Sequence, residues 1–171
     1  MSDANASVIM DSLLQRGRIR PFIVACPSLQ SEEDLLRYFV PFVDATFRTI
    51  PKRESRAIAG HSSGGFTAMD LSLAHPEAFS ISGAFAPIAL LSIAPNISTA
   101  QGLKPNPISF WLYAGRKDTM AISWAVKGFA GELRKNGQST MYVEDDGDHI
   151  KNVARRLSEL IEYVFKHLTW E

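Results

Sequence analysis

The segment from Gly60 to Gly64, GHSSG, restricts the local fold more than any other part of the 171-residue chain. It follows a short apolar run at 56–59 and precedes a helix-like stretch, so a G-x-S-x-G pattern stands between a predicted strand and a predicted helix. In that context the central Ser62 takes a strained conformation that projects its hydroxyl from a sharp turn. Glycines two residues before and two after it avoid collisions with the strand and the helix. This placement favours a strand–turn–helix unit with an accessible serine over an ordinary glycine-rich turn with surface serines.

Apolar runs alternate with helix-like segments, and the segment 92–107, rich in Pro, Ser, Asn and Gly, is predicted to be the only long loop. The predicted strands are 21–26, 56–59, 79–86, 108–114 and 140–144, and the predicted helices are 8–15, 31–49, 63–74, 120–135 and 150–168. Alternation of this kind predicts an α/β fold, with a mostly parallel sheet of about five strands flanked by helices in three layers. We find no domain boundary, so residues 1–171 are expected to form one domain. The active site of such a sheet lies beyond the carboxyl ends of its strands.

Composition and charge argue against several classes of partner. The chain has 18 basic and 18 acidic residues, and the resulting zero formal charge gives no electrostatic case for nucleic acid or an anionic membrane. No apolar run approaches the roughly 20 residues of a membrane span. The polar segment Met1 to Asn5 does not resemble a secretory signal, so we expect a cytoplasmic location. The single cysteine, Cys26, excludes an intrachain disulfide and is expected to be a small buried hydrophobe at the end of a strand.

A serine hydroxyl becomes an effective nucleophile when a base takes its proton and a carboxylate orients the base. Behind a serine turn of this type, the acid and then the histidine follow on loops after later strands. Asp118 comes after the predicted strand 108–114, and His149 comes after the predicted strand 140–144. We therefore predict a catalytic triad of Ser62, Asp118 and His149. Asp118 can also be an N-cap of the helix that starts near residue 120, and the two roles are compatible.

Other residues near these positions have simpler interpretations. His61 is expected to pack beside the serine turn, His75 to interact with a helix end, and His167 to lie on an exposed helix. The neighbouring loop acids Asp145, Asp146 and Asp148 are expected to be mostly solvated, although one of them could orient the histidine in place of Asp118. The backbone N–H of Ser63, directly after the nucleophile, is predicted to be one donor of the oxyanion hole.

The segment from Asp11 to Gly65 resembles the esterase D and feruloyl esterase type of α/β-hydrolase. Members of that family have a helix, a proline-led apolar strand, a long helix and a strand that ends in G-H-S-x-G-G. The corresponding segments here are 12–17, 21–27, 32–50 and 57–65. Residues 75–79, 115–118 and 147–149 are also similar, so the resemblance extends over nearly the whole chain. It implies an α/β-hydrolase fold and hydrolysis of carboxylic esters.

One departure from the family pattern concerns the sheet edge. Full-length members have about three further strands before this point, and the loop after the third strand supplies the second oxyanion donor. That third strand lies between the counterparts of 21–26 and 56–59, so its loss leaves either direct pairing of these two strands or an open slot. We expect a homo-oligomer in which another subunit covers the deficient edge. The second donor is unknown; residues 1–7 and 27–30 are candidates.

The sequence therefore predicts a serine carboxylesterase that hydrolyses short-chain esters through an acyl-enzyme, with no metal or organic cofactor. The partner is expected to be a small-molecule ester. Two alternatives stay open at this point: an acyltransferase that uses the same triad, and a degenerate hydrolase scaffold without catalytic activity.

Overall fold

The computed structural model describes residues 6–27, 32–88, 106–121 and 123–171. Several sequence predictions lie outside these ranges. They include most of the candidate segments for the second oxyanion donor, the predicted helix start at Ser31 and most of the loop 92–107.

Nine principal helices and strands are found in the described part of the chain. In chain order they are α1 (Ala6–Gln15), α2 (Glu32–Asp34, the π-helical turn Leu35–Phe39 and Val40–Thr46), β1 (Ala57–His61), α3 (Ser63–Ala74), β2 (Ile81–Phe85), β3 (Ser109–Gly115), α4 (Ser123–Lys135), β4 (Ser139–Asp145) and α5 (Val153–His167). A short 3-10 turn, Arg53–Ser55, precedes β1. Most bounds lie within three residues of the sequence predictions.

The four strands form one parallel sheet in the order β1-β2-β3-β4. The register aligns His61 with Phe85, Phe85 with Tyr113, and Tyr113 with Val143. The strands therefore end at nearly the same level, and the loops that follow β1, β3 and β4 emerge at one edge of the sheet. This edge is where a parallel sheet places its active site.

Helices cover both faces of the sheet, which gives the predicted three layers. Alternate residues of β3 point to opposite faces, so Phe110 and Leu112 pack with α3 and α4, while Trp111 and Tyr113 pack with α5. Beyond α5, a third apolar cluster joins it to α1 through contacts that include Leu13. No helix in the described ranges has the length and apolar character needed to cross a bilayer.

The prediction of a fifth strand at 21–26 is wrong, because the described residues form a sheet of four strands and this segment has no regular secondary structure. Ile23 and Val24 are exposed, at 47% and 46%. A buried parallel strand needs a hydrogen-bonded neighbour, and no strand in the described ranges lies between this segment and β1. The related expectation for Cys26 is also wrong, since this residue is exposed.

The uncovered edge of β1 is a further consequence. Ala59, in the middle of β1, is exposed, whereas every residue of β2 is buried. Both outcomes considered for the missing strand assumed a strand at 21–26, and neither is found in the described residues, where β1 is the edge strand of the sheet. The same region leaves α2 poorly covered, with Phe42 at 59% exposure.

Candidate active site

The serine turn joins β1 to α3 with the strained central serine that the sequence predicts. The expected collision at Gly64 is wrong, because a Cβ there would have no neighbouring atom within 4 Å. Ser62 has φ 57° and ψ −121°, a conformation that ordinary residues rarely adopt. Its N–H donates to the carbonyl of Phe85 on β2 over 2.9 Å, which anchors the turn to the sheet. A Cβ at Gly60 would lie 2.2 Å from the backbone of Gly64, so a side chain at position 60 cannot be accommodated without moving the turn.

The three side chains predicted to act together meet at this edge of the sheet. His149 Nε2 lies 2.9 Å from Ser62 Oγ, and His149 Nδ1 lies 2.8 Å from Asp118 Oδ2. With the imidazole neutral, the hydroxyl donates to Nε2 and Nδ1–H donates to the carboxylate. The Asp118 side chain is fully buried and the His149 side chain is 17% exposed. Burial of the carboxylate strengthens its interaction with the imidazole, because little solvent screens it.

Asp118 has two structural roles at once. Its Oδ2 faces His149, while its Oδ1 accepts the N–H groups of Met120 and Ala121 over 2.8 Å each. The N-cap interpretation and the orienting interpretation therefore apply to different oxygens of one carboxylate. The backbone bonds fix the carboxylate plane, so the oxygen that faces the imidazole is held in one direction.

The loop that carries the acid is tied directly to the loop that carries the histidine. Arg116 N–H donates to the carbonyl of Asp145 over 2.8 Å, and Lys117 N–H donates to the carbonyl of Gly147 over 3.0 Å. A Cβ at Gly115 would lie only 2.2 Å from the Gly147 carbonyl oxygen. A glycine at position 115 is therefore what permits the two loops to approach this closely.

Asp145 was predicted to be a solvated loop acid. Its carboxylate instead bonds residues within and around the loop that carries His149. Its Oδ1 accepts from Tyr113 Oη over 2.9 Å and from Gly147 N–H over 2.7 Å. Its Oδ2 accepts from Arg156 Nε and Nη2 over 3.1 and 2.6 Å, and from Asn152 over 3.1 Å. The expectation of a solvated acid is wrong, because these groups together saturate the carboxylate. Both carboxylate oxygens of Asp145 bond to groups other than His149. The carboxylate that contacts the His149 imidazole is that of Asp118.

Electrostatics at Asp145 follow from these contacts. Burial on its own would raise the pKa of this carboxyl, but the hydrogen bonds from Arg156 and Gly147 outweigh burial and lower the pKa to about 2. The guanidinium of Arg156 also lies 5.3 Å from the centre of the Tyr113 ring.

Sequence reasoning missed Arg156, although a signal was present. This arginine lies at helical spacing between the apolar residues Val153 and Leu160, and a charge in that position needs a buried partner.

The other predicted residues are placed as follows. Ser63 is exposed and is the first residue of α3, so its N–H is one of the helix donors without an intrahelical acceptor. His75 and His167 lie away from the serine turn, where they contact Glu77 and the carbonyl of Tyr163 respectively. His61 lies against the imidazole of His149, with ring centres 4.9 Å apart.

The remaining loop acids contact nearby groups other than the histidine. Asp146 pairs with Arg116 at the surface, and Asp148 accepts the backbone N–H groups of Ile150 and Lys151. No group of three or more His, Cys, Asp or Glu side chains within the described ranges is arranged to hold a metal ion.

A parallel α/β sheet with a strained serine after one strand, and a histidine and an acid after later strands, defines the α/β-hydrolase class. Comparison with known proteins is consistent with this class and gives the family. The family model described as "Putative esterase" matches residues 28–156, most of the chain, and the chain therefore belongs to this esterase family.

Individual relatives extend the comparison. The "Endo-1,4-beta-xylanase/feruloyl esterase" of Xylanibacter ruminicola is 31% identical over a match that covers 43% of this chain. This chain covers only 12% of the length of that protein. A solved ferulic acid esterase superposes with a TM-score of 0.80 at 18% identity. The match covers 97% of this chain and 78% of the esterase chain. The S-formylglutathione hydrolase of Staphylococcus aureus superposes with a TM-score of 0.68 at 16% identity. The match covers 79% of this chain and 61% of the hydrolase chain. At these identities the solved structures show the shared fold.

Proposed function

We propose that this chain is a serine carboxylesterase in which Ser62 is the nucleophile, His149 the general base and Asp118 the orienting acid. The observation that carries the proposal is the continuous hydrogen-bonded chain from Asp118 through His149 to Ser62, with distances of 2.8 and 2.9 Å. Both distances lie within the range that proton transfer between a nucleophile and its base requires. Membership of the esterase family supports the same reaction class.

The proposed reaction proceeds in two stages. His149 Nε2 takes the Ser62 proton as the hydroxyl oxygen attacks the ester carbonyl, and Asp118 stabilises the imidazolium that forms. The negative oxygen of the tetrahedral intermediate accepts the Ser63 N–H and a second donor that is not assigned. The imidazolium then protonates the leaving alcohol, which leaves an acyl-enzyme on Ser62. Water activated by His149 attacks this acyl group, releases the acid and restores the hydroxyl.

Short-chain esters are the substrates we propose to test first. Ser62 lies in a turn whose next residues, Ser63 and Gly64, are exposed, so the described part of the site is open. Met120 and Ile150 follow Asp118 and His149 closely in the chain and are 59% and 70% exposed. Exposed apolar side chains so near Asp118 and His149 in the chain suit contact with an apolar acyl or alcohol group. Because two of the relatives are named as esterases of ferulic acid or feruloyl groups, methyl ferulate belongs in the same substrate series.

The direct test compares three proteins on p-nitrophenyl acetate, butyrate and longer esters. Replacing Ser62 with Ala is expected to lower kcat by at least about 10⁴-fold, because the nucleophile is lost. Ser63→Ala is the matched control, since it removes a neighbouring hydroxyl but keeps the backbone donor, and it should retain near-normal kcat.

Two further measurements separate the alternatives. A fluorophosphonate should form a covalent adduct on Ser62, located by mass spectrometry. Hydrolysis that is unchanged in Ser62→Ala would refute the proposal and favour a non-catalytic scaffold. Diversion of product from acid to new ester on addition of an alcohol would favour the acyltransferase alternative.

We also propose that a second copy of the chain covers the open edge of β1. Exposed apolar residues of 20–27 and of α2, including Ile23, Val24 and Phe42, lie on the N-terminal side of this strand in the chain. A pair between Asp44 and Arg56 ties the end of α2 to the start of β1. An unpaired strand edge beside apolar surface favours association with another chain, and zero net charge does not oppose it.

The oligomer proposal is tested by light scattering coupled to size-exclusion chromatography at micromolar concentration. The protein should elute above the 18.9 kDa of one chain. Phe42→Asp should shift it toward the monomer, whereas Trp124→Asp, at a similarly exposed aromatic residue on α4, should not. A compact monomer at this concentration contradicts the proposal. The cytoplasmic location stays a prediction.

A further inference from the structure

His61, the residue directly before the nucleophile, makes a specific contact that the reaction scheme does not use. Its Nε2 lies 2.8 Å from the main-chain carbonyl oxygen of His149. Since a carbonyl oxygen only accepts, the proton of the neutral His61 ring lies on Nε2. The side chain is half-buried, and its ring lies 4.9 Å from the His149 ring at an angle of 46°. The contact joins residues 88 positions apart in the chain.

This contact completes a three-point attachment of the catalytic base. His149 Nε2 faces Ser62 on the serine turn, His149 Nδ1 faces Asp118 on the acid loop, and the His149 carbonyl accepts from His61 at the end of β1. The first two contacts hold the imidazole, whereas the third holds the backbone from which the imidazole extends. Because His61 and Ser62 are adjacent, the group that anchors the base and the group that the base activates belong to one rigid turn.

Other hydrogen bonds hold the residues on either side of His149 in the loop after β4. The carbonyls of Asp145 and Gly147 are held from the acid loop, and the Asp148 carboxylate holds the two N–H groups that follow. These bonds fix the loop on both sides of His149. The bond from His61 reaches the main chain of His149 itself, from the residue next to Ser62.

We propose that His61 is a positioning residue that sets the distance between His149 Nε2 and Ser62 Oγ by donating to the His149 carbonyl. The inference rests on the proposed function and deepens it. A positioning role requires a donor at the place that Nε2 occupies, whereas a packing role requires only a side chain of suitable volume. Glutamine and asparagine distinguish these roles, because the glutamine amide nitrogen lies the same number of bonds from Cβ as histidine Nε2, and the asparagine nitrogen lies one bond short.

The experiment compares His61→Gln and His61→Asn with the unchanged protein on p-nitrophenyl butyrate. Active sites are counted by fluorophosphonate labelling, so that misfolded protein does not enter kcat. His61→Asn should lower kcat by about 10- to 100-fold, because displacement of a catalytic group by about 1 Å has effects of this size. KM should change by less than about 3-fold, since no substrate contact is removed. His61→Gln should recover kcat to within about 5-fold of the unchanged protein.

Controls separate this inference from the proposed function. His75→Asn makes the same substitution at an exposed histidine and should leave kcat unchanged. If the unchanged protein neither hydrolyses the ester nor labels at Ser62, the proposed function and the positioning role both fail. If the protein is active but the Gln and Asn variants have equal kcat values per labelled site, the positioning role alone is overturned. If His61→Asn does not fold, a labelling rate of His61→Gln more than about 10-fold below normal overturns it as well.

Discussion

Replacing Asp145 with Asn provides a quantitative test of the network beneath the catalytic histidine. Folding lowers the pKa of Asp145 from 3.8 to about 2. Each pKa unit corresponds to about 1.4 kcal/mol, so ionised Asp145 contributes about 2 to 3 kcal/mol to the free energy of unfolding at neutral pH. Because the folded pKa is the lower one, the folded protein binds this proton less readily than the unfolded chain. The contribution is therefore complete above pH 4 to 5 and is lost as the pH falls through about 2.

The expected cost of Asp145→Asn at pH 7 is at least about 2 kcal/mol. It rises toward about 3–5 kcal/mol if Arg156, whose side chain is 7% exposed, is left incompletely paired. The amide of asparagine does not titrate. The difference in unfolding free energy between the two proteins should consequently narrow by about 1 kcal/mol at pH 3 and about 2 kcal/mol at pH 2.

Urea unfolding followed by circular dichroism at pH 7, 5, 3 and 2 measures this difference directly. Asp146→Asn is the matched control, because Asp146 is the next residue in the loop and its side chain is 73% exposed. The control should be within about 0.5 kcal/mol of the unchanged protein at pH 7. A gap between Asp145→Asn and the unchanged protein that stays constant from pH 7 to pH 2 would show that the carboxylate charge is not what stabilises the loop.

Three further substitutions test the site from other directions. Asp118→Asn keeps an oxygen for the helix cap but places an NH₂ group where Nδ1–H of His149 donates. We therefore expect kcat to fall by about 10⁴-fold while the thermal midpoint changes little. A near-normal kcat would contradict the orienting role. Gly115→Ala puts a Cβ within 2.2 Å of the Gly147 carbonyl oxygen, so it should both destabilise the protein and lower kcat, as measured by thermal unfolding and ester hydrolysis. Gly128→Ala, in α4 with no atom within 4 Å of the added Cβ, should raise the unfolding free energy by up to about 1 kcal/mol with kcat unchanged, and a destabilised variant would show that the helix surface is not open there.

The parts of the fold that depend on local pattern were predictable from the sequence. β3 and β4 are each a short run rich in apolar residues followed by a helix, and the serine turn is defined by glycines within five residues of one another. Asp118 and His149 could be located because each directly follows a strand. Their catalytic roles stay predictions until activity is measured.

The parts that depend on distant neighbours were not predictable in the same way. Residues 21–26 are as apolar as a buried strand, but a strand exists only if another strand pairs with it, and composition does not show whether one does. Asp145 has the sequence context of a loop acid, and its burial is caused by Tyr113 and Arg156, which the sheet register and α5 bring to it. The bond from His61 to the His149 carbonyl likewise exists only because β1 and the loop after β4 end at one edge.

The two halves of the proposed chemistry depend on different sides of β1. Activation of Ser62 uses the loops after β1, β3 and β4, which hydrogen bonds among their own residues join to one another. Stabilisation of the oxyanion uses Ser63 and a donor that, in the family pattern, comes from the other side of β1, where the described residues leave the edge open. One missing donor costs about 10²–10³-fold in rate. A donor supplied at this edge by a second copy of the chain should therefore raise the rate of turnover, whereas the assembly of Ser62, His149 and Asp118 should not depend on it.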